Sequence, residues 1–212
     1  MAPIRRHVSV IGIVVILMAA AWLWVAGSRS ATTELAFWFE PIHSDARTAL
    51  PERFAGDISA DDMNVVEAEA REEIVRAFGL YPISLVGRAA AQYHVRVTDE
   101  LHGRTGGSAE SYVFPGLGGQ GFVNFRSIAF GAINHAPADA TRDQIIAAIG
   151  RGIGRAAVHE FTHQLLGRQA PIDSSKDIDS YEYGSTDRRA QYYGPIRWDL
   201  AEPLLRQKFG LD

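Results

Sequence analysis

The sequence predicts an α+β domain in which a small mixed sheet packs on one long helix, preceded by an N-terminal transmembrane helix. Three observations carry this prediction. An unbroken apolar run fills Val8 to Gly27 behind Arg5 and Arg6. Short β-prone segments occupy the middle of the chain. From Thr141 onward, apolar residues recur at helical spacing for about seven turns.

The N-terminal run comes first. About 20 apolar residues in a helix span roughly 30 Å of hydrocarbon. Trp22 and Trp24 stand near its far end, where amphipathic rings favour the headgroup region. The basic pair predicts a cytoplasmic N-terminus and an extracytoplasmic domain. A cleaved signal peptide, which would release a secreted domain, is the alternative. The organisation expected is therefore a signal anchor over 1–27, a polar linker "SRSATT" over 28–33, and one domain over 34–212.

Within the domain, "ELAFWFEPI" (34–42) reads as a strand that ends at a proline. Residues 43–62 look irregular. A helix follows, capped by Asp61 or Asp62, with Val65, Val66, Ala70, Ile74 and Phe78 on its apolar face. "QYHVRVTDEL" (92–101) alternates as a strand does, and "GRTGGSAES" reads as a loop. Two β-prone pieces, around 111–114 and 121–134, flank the turn "PGLGGQG".

Thr141 and Gln144 form a capping-box pattern that opens the long helix. Its apolar face is Ile145, Ile146, Ile149, Ile153, Ala156, Ala157, Phe161 and Leu165, and Gly167 is the expected stop. Gly150, Gly152 and Gly154 weaken the helix by about 1 kcal/mol each relative to alanine but let another backbone come close. "RWDLAEPLLRQKFG" closes the chain as a short amphipathic helix, with Trp198, Leu204, Leu205 and Phe209 inward.

The long helix ends in "RAAVHEFTHQLLG" (155–167). His159 and His163 are four residues apart, so their rings project from one face, offset by about 40°. Two imidazole nitrogens so placed can share one Zn²⁺. Glu160 stands to the side of the pair, within reach of a water on the metal rather than the metal itself. A carboxylate there takes the water's proton as it attacks a carbonyl and delivers it to the leaving amine.

This H-E-x-x-H, filled as His159-Glu160-Phe161-Thr162-His163, resembles the zincin metallopeptidases. The resemblance covers the order helix (61–81), strands (92–134) and active-site helix (141–167). It implies a catalytic zinc with a third protein ligand, and a strand near the active-site helix that pairs with extended substrate. "GFVNFRSIAFGAINHA" would supply that strand. Leu166 and Gln169 stand where the metzincin branch needs glycine and histidine, which excludes that branch in its standard form.

No histidine follows His163, so the third ligand is a downstream carboxylate or comes from upstream, and "DIDSYEYGSTDRRAQYYG" (177–194) is where it is sought. Glu182 lies 19 positions after His163, which resembles the gluzincin branch. Asp187 follows it by five positions rather than four, about 140° around a straight helix. Asp187 with Gly184-Ser185-Thr186 also resembles the aspzincin pattern, with Tyr192, Tyr193 and Gly194 displaced from it. Either carboxylate is the candidate ligand, and the other would orient a ligating histidine. Tyr193 is the candidate hydroxyl for the developing oxyanion. Asp173, Asp177 and Asp179 read as turn residues; His43, His94, His102 and His135 read as structural or surface side chains.

Composition narrows the rest. The chain has 212 residues, no cysteine and a net charge of −4. Thiolate ligands, disulfides and a cysteine nucleophile are excluded, and no basic cluster suggests nucleic acid. The function expected is a membrane-anchored, exported zinc metallopeptidase acting on peptides or proteins. The alternatives are a non-catalytic zinc-binding envelope protein and a zinc amidase acting on cell-wall peptides.

Overall fold

Five strands pair in the order β2-β1-β3-β5-β4. They are β1 (Thr33–Phe39), β2 (Ile83–Leu85), β3 (Tyr93–Thr98), β4 (Ala109–Phe114) and β5 (Gly118–Asn124). All pairs are parallel except β4, which runs antiparallel to β5 at one edge. The helices are α1 (Ser44–Thr48), α2 (Ala60–Phe78), α3 (Phe125–Asn134), α4 (Arg142–Leu166), α5 (Ala190–Tyr193) and α6 (Ala201–Phe209). These come from a computed structural model that describes residues 32–100, 109–114, 116–170, 181 and 190–211.

The α+β expectation with a small mixed sheet on a long helix matches this architecture. The transmembrane helix that completed the expected fold class does not. Among the described residues no helix is long and apolar enough to cross a membrane, and Val8–Gly27 lies outside them. The longest helix, α4, carries Arg142, Asp143, Arg151, Arg155 and Glu160, which suits a protein core with polar partners and not hydrocarbon. The fold class that the described residues support is the sheet-and-helix domain.

One sheet face is apolar by strand alternation. Leu35, Phe37, Val95, Val97 and Val123 are buried there in one cluster with α2 and α4. From α2 come Val66, Ala70, Ile74 and Phe78; Val65, expected among them, is 45% exposed. From α4 come Ile146, Ile149, Ile153, Ala157 and Phe161. The two helices touch backbone to backbone. A Cβ at Gly150 would lie 2.6 Å from the Val66 carbonyl oxygen, and one at Gly154 would lie 2.7 Å from that of Ala70. Gly150 and Gly154 sacrifice helix propensity for this approach, whereas Gly152, expected to act likewise, faces the Tyr192 ring instead of a backbone.

The caps differ in part from expectation. Thr141 and Gln144 form the capping box of α4. At α2 the cap is Ser59, and Asp62 is its box partner rather than the cap itself. Ser59 lies in the stretch 43–62 that the sequence reads as irregular, which also holds the short α1.

The region 121–134 is corrected more deeply. Only its first residues are strand; Asn124 accepts from the Ser127 backbone N–H and starts α3 at Phe125. The apolar residues Phe125, Ile128, Ala129, Ala132 and Ile133 fit both periods in so short a run, and the asparagine cap decides. The expected turn "PGLGGQG" is also partly strand, since β5 begins at Gly118.

Candidate metal centre

His159 and His163 project from the last turns of α4, with Nε2 of each ring 3.0 Å from the other. The rings stand edge to face with centroids 4.5 Å apart. His159 Nδ1 lies 2.6 Å from the Tyr181 carbonyl oxygen. A carbonyl only accepts, so Nδ1 carries the proton, and in the neutral form of the ring the Nε2 lone pair is turned towards His163. Metal-ligating histidines use this arrangement, donating the other ring N–H to a carbonyl or carboxylate. His163 is held below its ordinary pKa by burial and by the neighbouring His159, with Glu160 opposing. It is therefore neutral near pH 7, as a ligand must be.

Glu160 is 3% exposed, although it neighbours the two polar rings. Burial pushes its carboxyl up to about 7; a hydrogen bond from Ser111 and the charge of His163 act against this, and Glu110 adds to it. A carboxyl titrating there exchanges protons readily at neutral pH. Both histidines and Glu160 line a cleft of about 840 Å³ with Ser111 and Val113 of the edge strand β4 and with Arg168.

Side chains that sequence reasoning missed fix α4 to the sheet. Ser111 donates to the Glu160 carbonyl at 3.2 Å. Gln164, next to His163, is 3% exposed. Its amide donates to the His94 carbonyl at 3.0 Å and to the Ser111 hydroxyl at 3.1 Å, and accepts from the His94 N–H at 3.2 Å. Only glycine leaves room for it. A Cβ at Gly119 would lie 2.5 Å from Gln164 Cγ, and one at Gly121 would lie 2.9 Å from its Nε2. Two glycines at a spacing of two, the strand period, were the available signal, but glycine clusters read first as turns.

A second missed cluster lies one turn before His159. Arg155 and Glu73, 5% and 2% exposed, pair at 3.0 Å between α4 and α2. Arg76 also donates to Glu73, at 2.7 Å, and the Tyr181 hydroxyl donates to it at 2.9 Å. Arg155 further donates to the carbonyls of Ala190 at 2.7 Å and Gly194 at 2.9 Å. A buried charge pair is tolerated because each remaining polar atom has such a partner.

The donor chemistry fits a borderline-soft divalent ion: two neutral imidazole nitrogens converge, with a carboxyl beside them. Two donors are short of the three that a catalytic zinc takes from protein. Among the described residues no group of three His, Asp or Glu side chains is placed to hold a metal. Glu182 and Asp187, the candidates for the third position, lie outside the described residues, as do Tyr183 and His102.

Tyr193 is placed elsewhere: its hydroxyl donates to the Ala132 carbonyl at 2.7 Å, and it lines a different cleft with Pro137, Gln144 and Arg151. Among the described residues the other histidines stand apart from the pair. His43 bonds Asp99 at 3.0 Å, His94 donates to the Arg88 carbonyl at 3.0 Å, and His135 stacks on Tyr192. The strand beside Glu160 is β4, at the sheet edge, whereas β5, where substrate pairing was expected, is enclosed between β3 and β4. No protein-family model, no curated protein and no solved structure matches this chain.

Proposed function

We propose that the domain is a zinc-dependent peptide hydrolase with Glu160 as its general base. The observation that carries this reading is the pair of Nε2 atoms 3.0 Å apart beside a buried carboxyl that titrates at about 7. A structural zinc site needs no proton acceptor at its side. His159 and His163 would hold the ion, with Glu182 or Asp187 as third ligand. Zn²⁺ held there supplies Lewis acidity, polarising a substrate carbonyl and acidifying water towards a pKa of about 7.

Glu160 would take the proton of the attacking water and return it to the leaving amine. Its burial sets the basicity this needs, and the Ser111 hydroxyl holds the backbone on which it stands. β4 has a strand on one side only among the described residues, and Tyr112, Val113 and Phe114 are exposed along it. Such an edge can take an extended peptide by adding one more strand, which lays the peptide against the cleft of Glu160.

The test uses the full chain, a broad peptide mixture and a chelator control. Glu160→Gln keeps size and hydrogen-bonding reach but accepts no proton. Hydrolysis should fall by at least about 10²–10⁴-fold while zinc content stays unchanged. Equal activity of both proteins would refute Glu160 as the base. A zinc-loaded wild type inert on every peptide would favour a non-catalytic zinc protein, and activity confined to cell-wall peptides would favour an amidase.

A further inference from the structure

Tyr181 is held at three points besides the bond it accepts from His159. Its hydroxyl donates to Glu73 at 2.9 Å, its backbone N–H donates to the Arg197 carbonyl at 2.9 Å, and its ring packs against Trp198 with centroids 5.0 Å apart. Glu73 is fixed in turn by Arg155 and Arg76. Arg155 lies one helical turn before His159, and its guanidinium also reaches the carbonyls of Ala190 and Gly194. A hydrogen-bonded path therefore runs from one turn of α4, through α2 and Tyr181, back to the next turn of α4.

We propose that Tyr181, set by the buried Glu73–Arg155 pair, is the positioning residue that holds His159 in its Nδ1–H tautomer with Nε2 turned towards His163. This rests on the metal-centre reading above and adds a group that the H-E-x-x-H motif does not contain. Metal-ligating histidines need a partner on the second nitrogen. Here the partner is a backbone carbonyl, which has no side chain to place it. Its position depends on how the residue that carries it is anchored. The ion pair suits this task because a guanidinium is planar and always charged, so its three bonds share one rigid plane. Its burial keeps water from competing for them.

Tyr181→Phe tests the proposal, since it keeps the ring against Trp198 and the carbonyl but removes the bond to Glu73. Glu73→Gln is the second variant: its amide oxygen still accepts from Tyr181, but its NH2 faces the Arg76 guanidinium and the pair with Arg155 loses its charge. The first measurement is imidazole ¹H–¹⁵N correlation NMR on the metal-free full chain at pH 8, with His159→Ala to assign the signal. The second is Zn²⁺ affinity by chelator competition. Wild type should show His159 as a single Nδ1–H tautomer. Tyr181→Phe should show both tautomers and bind Zn²⁺ about 10-fold more weakly. Glu73→Gln should loosen Tyr181 in the same way and also show both tautomers; a Glu73→Gln protein that keeps the single Nδ1–H form would remove the ion pair from the proposal.

A Tyr181→Phe protein with unchanged tautomer and unchanged Zn²⁺ affinity, whatever its melting temperature, would overturn the proposal. So would an Nε2–H tautomer in wild type. If wild type binds no Zn²⁺ while Tyr181→Phe still scrambles the tautomers, the positioning role stands and the metal reading falls.

Discussion

Gly154→Ala should destabilise the domain by about 2 kcal/mol, against the sign that helix propensity alone would give. In an exposed helix interior the change gains about 1 kcal/mol. Here the new methyl would sit 2.7 Å from the Ala70 carbonyl oxygen and 2.7 Å from Glu73 Cβ on α2. Ordinary carbon contacts lie at about 3.5–4.0 Å, so one of the two helices must move by the better part of an ångström. The obstacle is backbone, which cannot rotate away. Overpacking of this kind costs about 1–3 kcal/mol, and the top of that range applies.

The net of about 2 kcal/mol lowers Tm by roughly 4–8 °C for a domain of this size. Urea unfolding of the metal-free protein should show a lower midpoint at unchanged slope. Moving α2 also carries Glu73 away from Arg155 and Tyr181, so Gly154→Ala should weaken Zn²⁺ binding. Gly150→Ala, one turn farther from the site and facing Val66 and Glu69, should cost similar stability with less effect on zinc. The double variant should cost less than both singles together, because helices already parted by one methyl accommodate the second. A neutral or stabilised Gly154→Ala would refute the close approach.

Other outcomes are expected. His159→Ala or His163→Ala should abolish near-stoichiometric zinc in metal analysis. Glu182→Ala and Asp187→Ala should separate the ligand, whose loss ends tight binding, from the orienting carboxylate, whose loss weakens it about 10–100-fold; full retention in both would place the third ligand elsewhere. Asp62 closes the capping box of α2 and pairs with Arg142 at 2.8 Å, which holds its carboxyl well below the usual carboxylate range. Its contribution is therefore fully present above the unfolded value of about 4 and is lost progressively as pH falls from there through the depressed folded value. Asp62→Ala should cost about 1–2 kcal/mol at pH 7, with the gap to wild type narrowing steadily in unfolding curves taken from about pH 4 down to pH 2; a gap unchanged over that range would refute the pairing.

What the sequence determined by itself is local. His159 and His163 share a face because four residues make little more than one helical turn. Thr141 with Gln144 starts that helix by side-chain bonds three residues apart. The strand β3 was legible because alternation of apolar and polar residues is a nearest-neighbour pattern, and β1 because a short apolar and aromatic run ends at a proline; they bury Leu35, Phe37, Val95 and Val97 on one side.

The tertiary structure alone decided what depends on partners distant in the chain. Gly119 and Gly121 mark a strand and not a turn because Gln164, more than 40 residues away, fills the space where their side chains would be. The strand β2 is three residues long and pairs only because β1 lies beside it. Glu160 titrates at about 7 because the sheet and α4 together remove it from water. Glu73, Arg155 and Tyr181 carry no motif, since 82 residues separate the first two and 108 separate Glu73 from Tyr181. Their joint role exists only where the fold brings a carboxylate, a guanidinium and a hydroxyl within hydrogen-bonding distance.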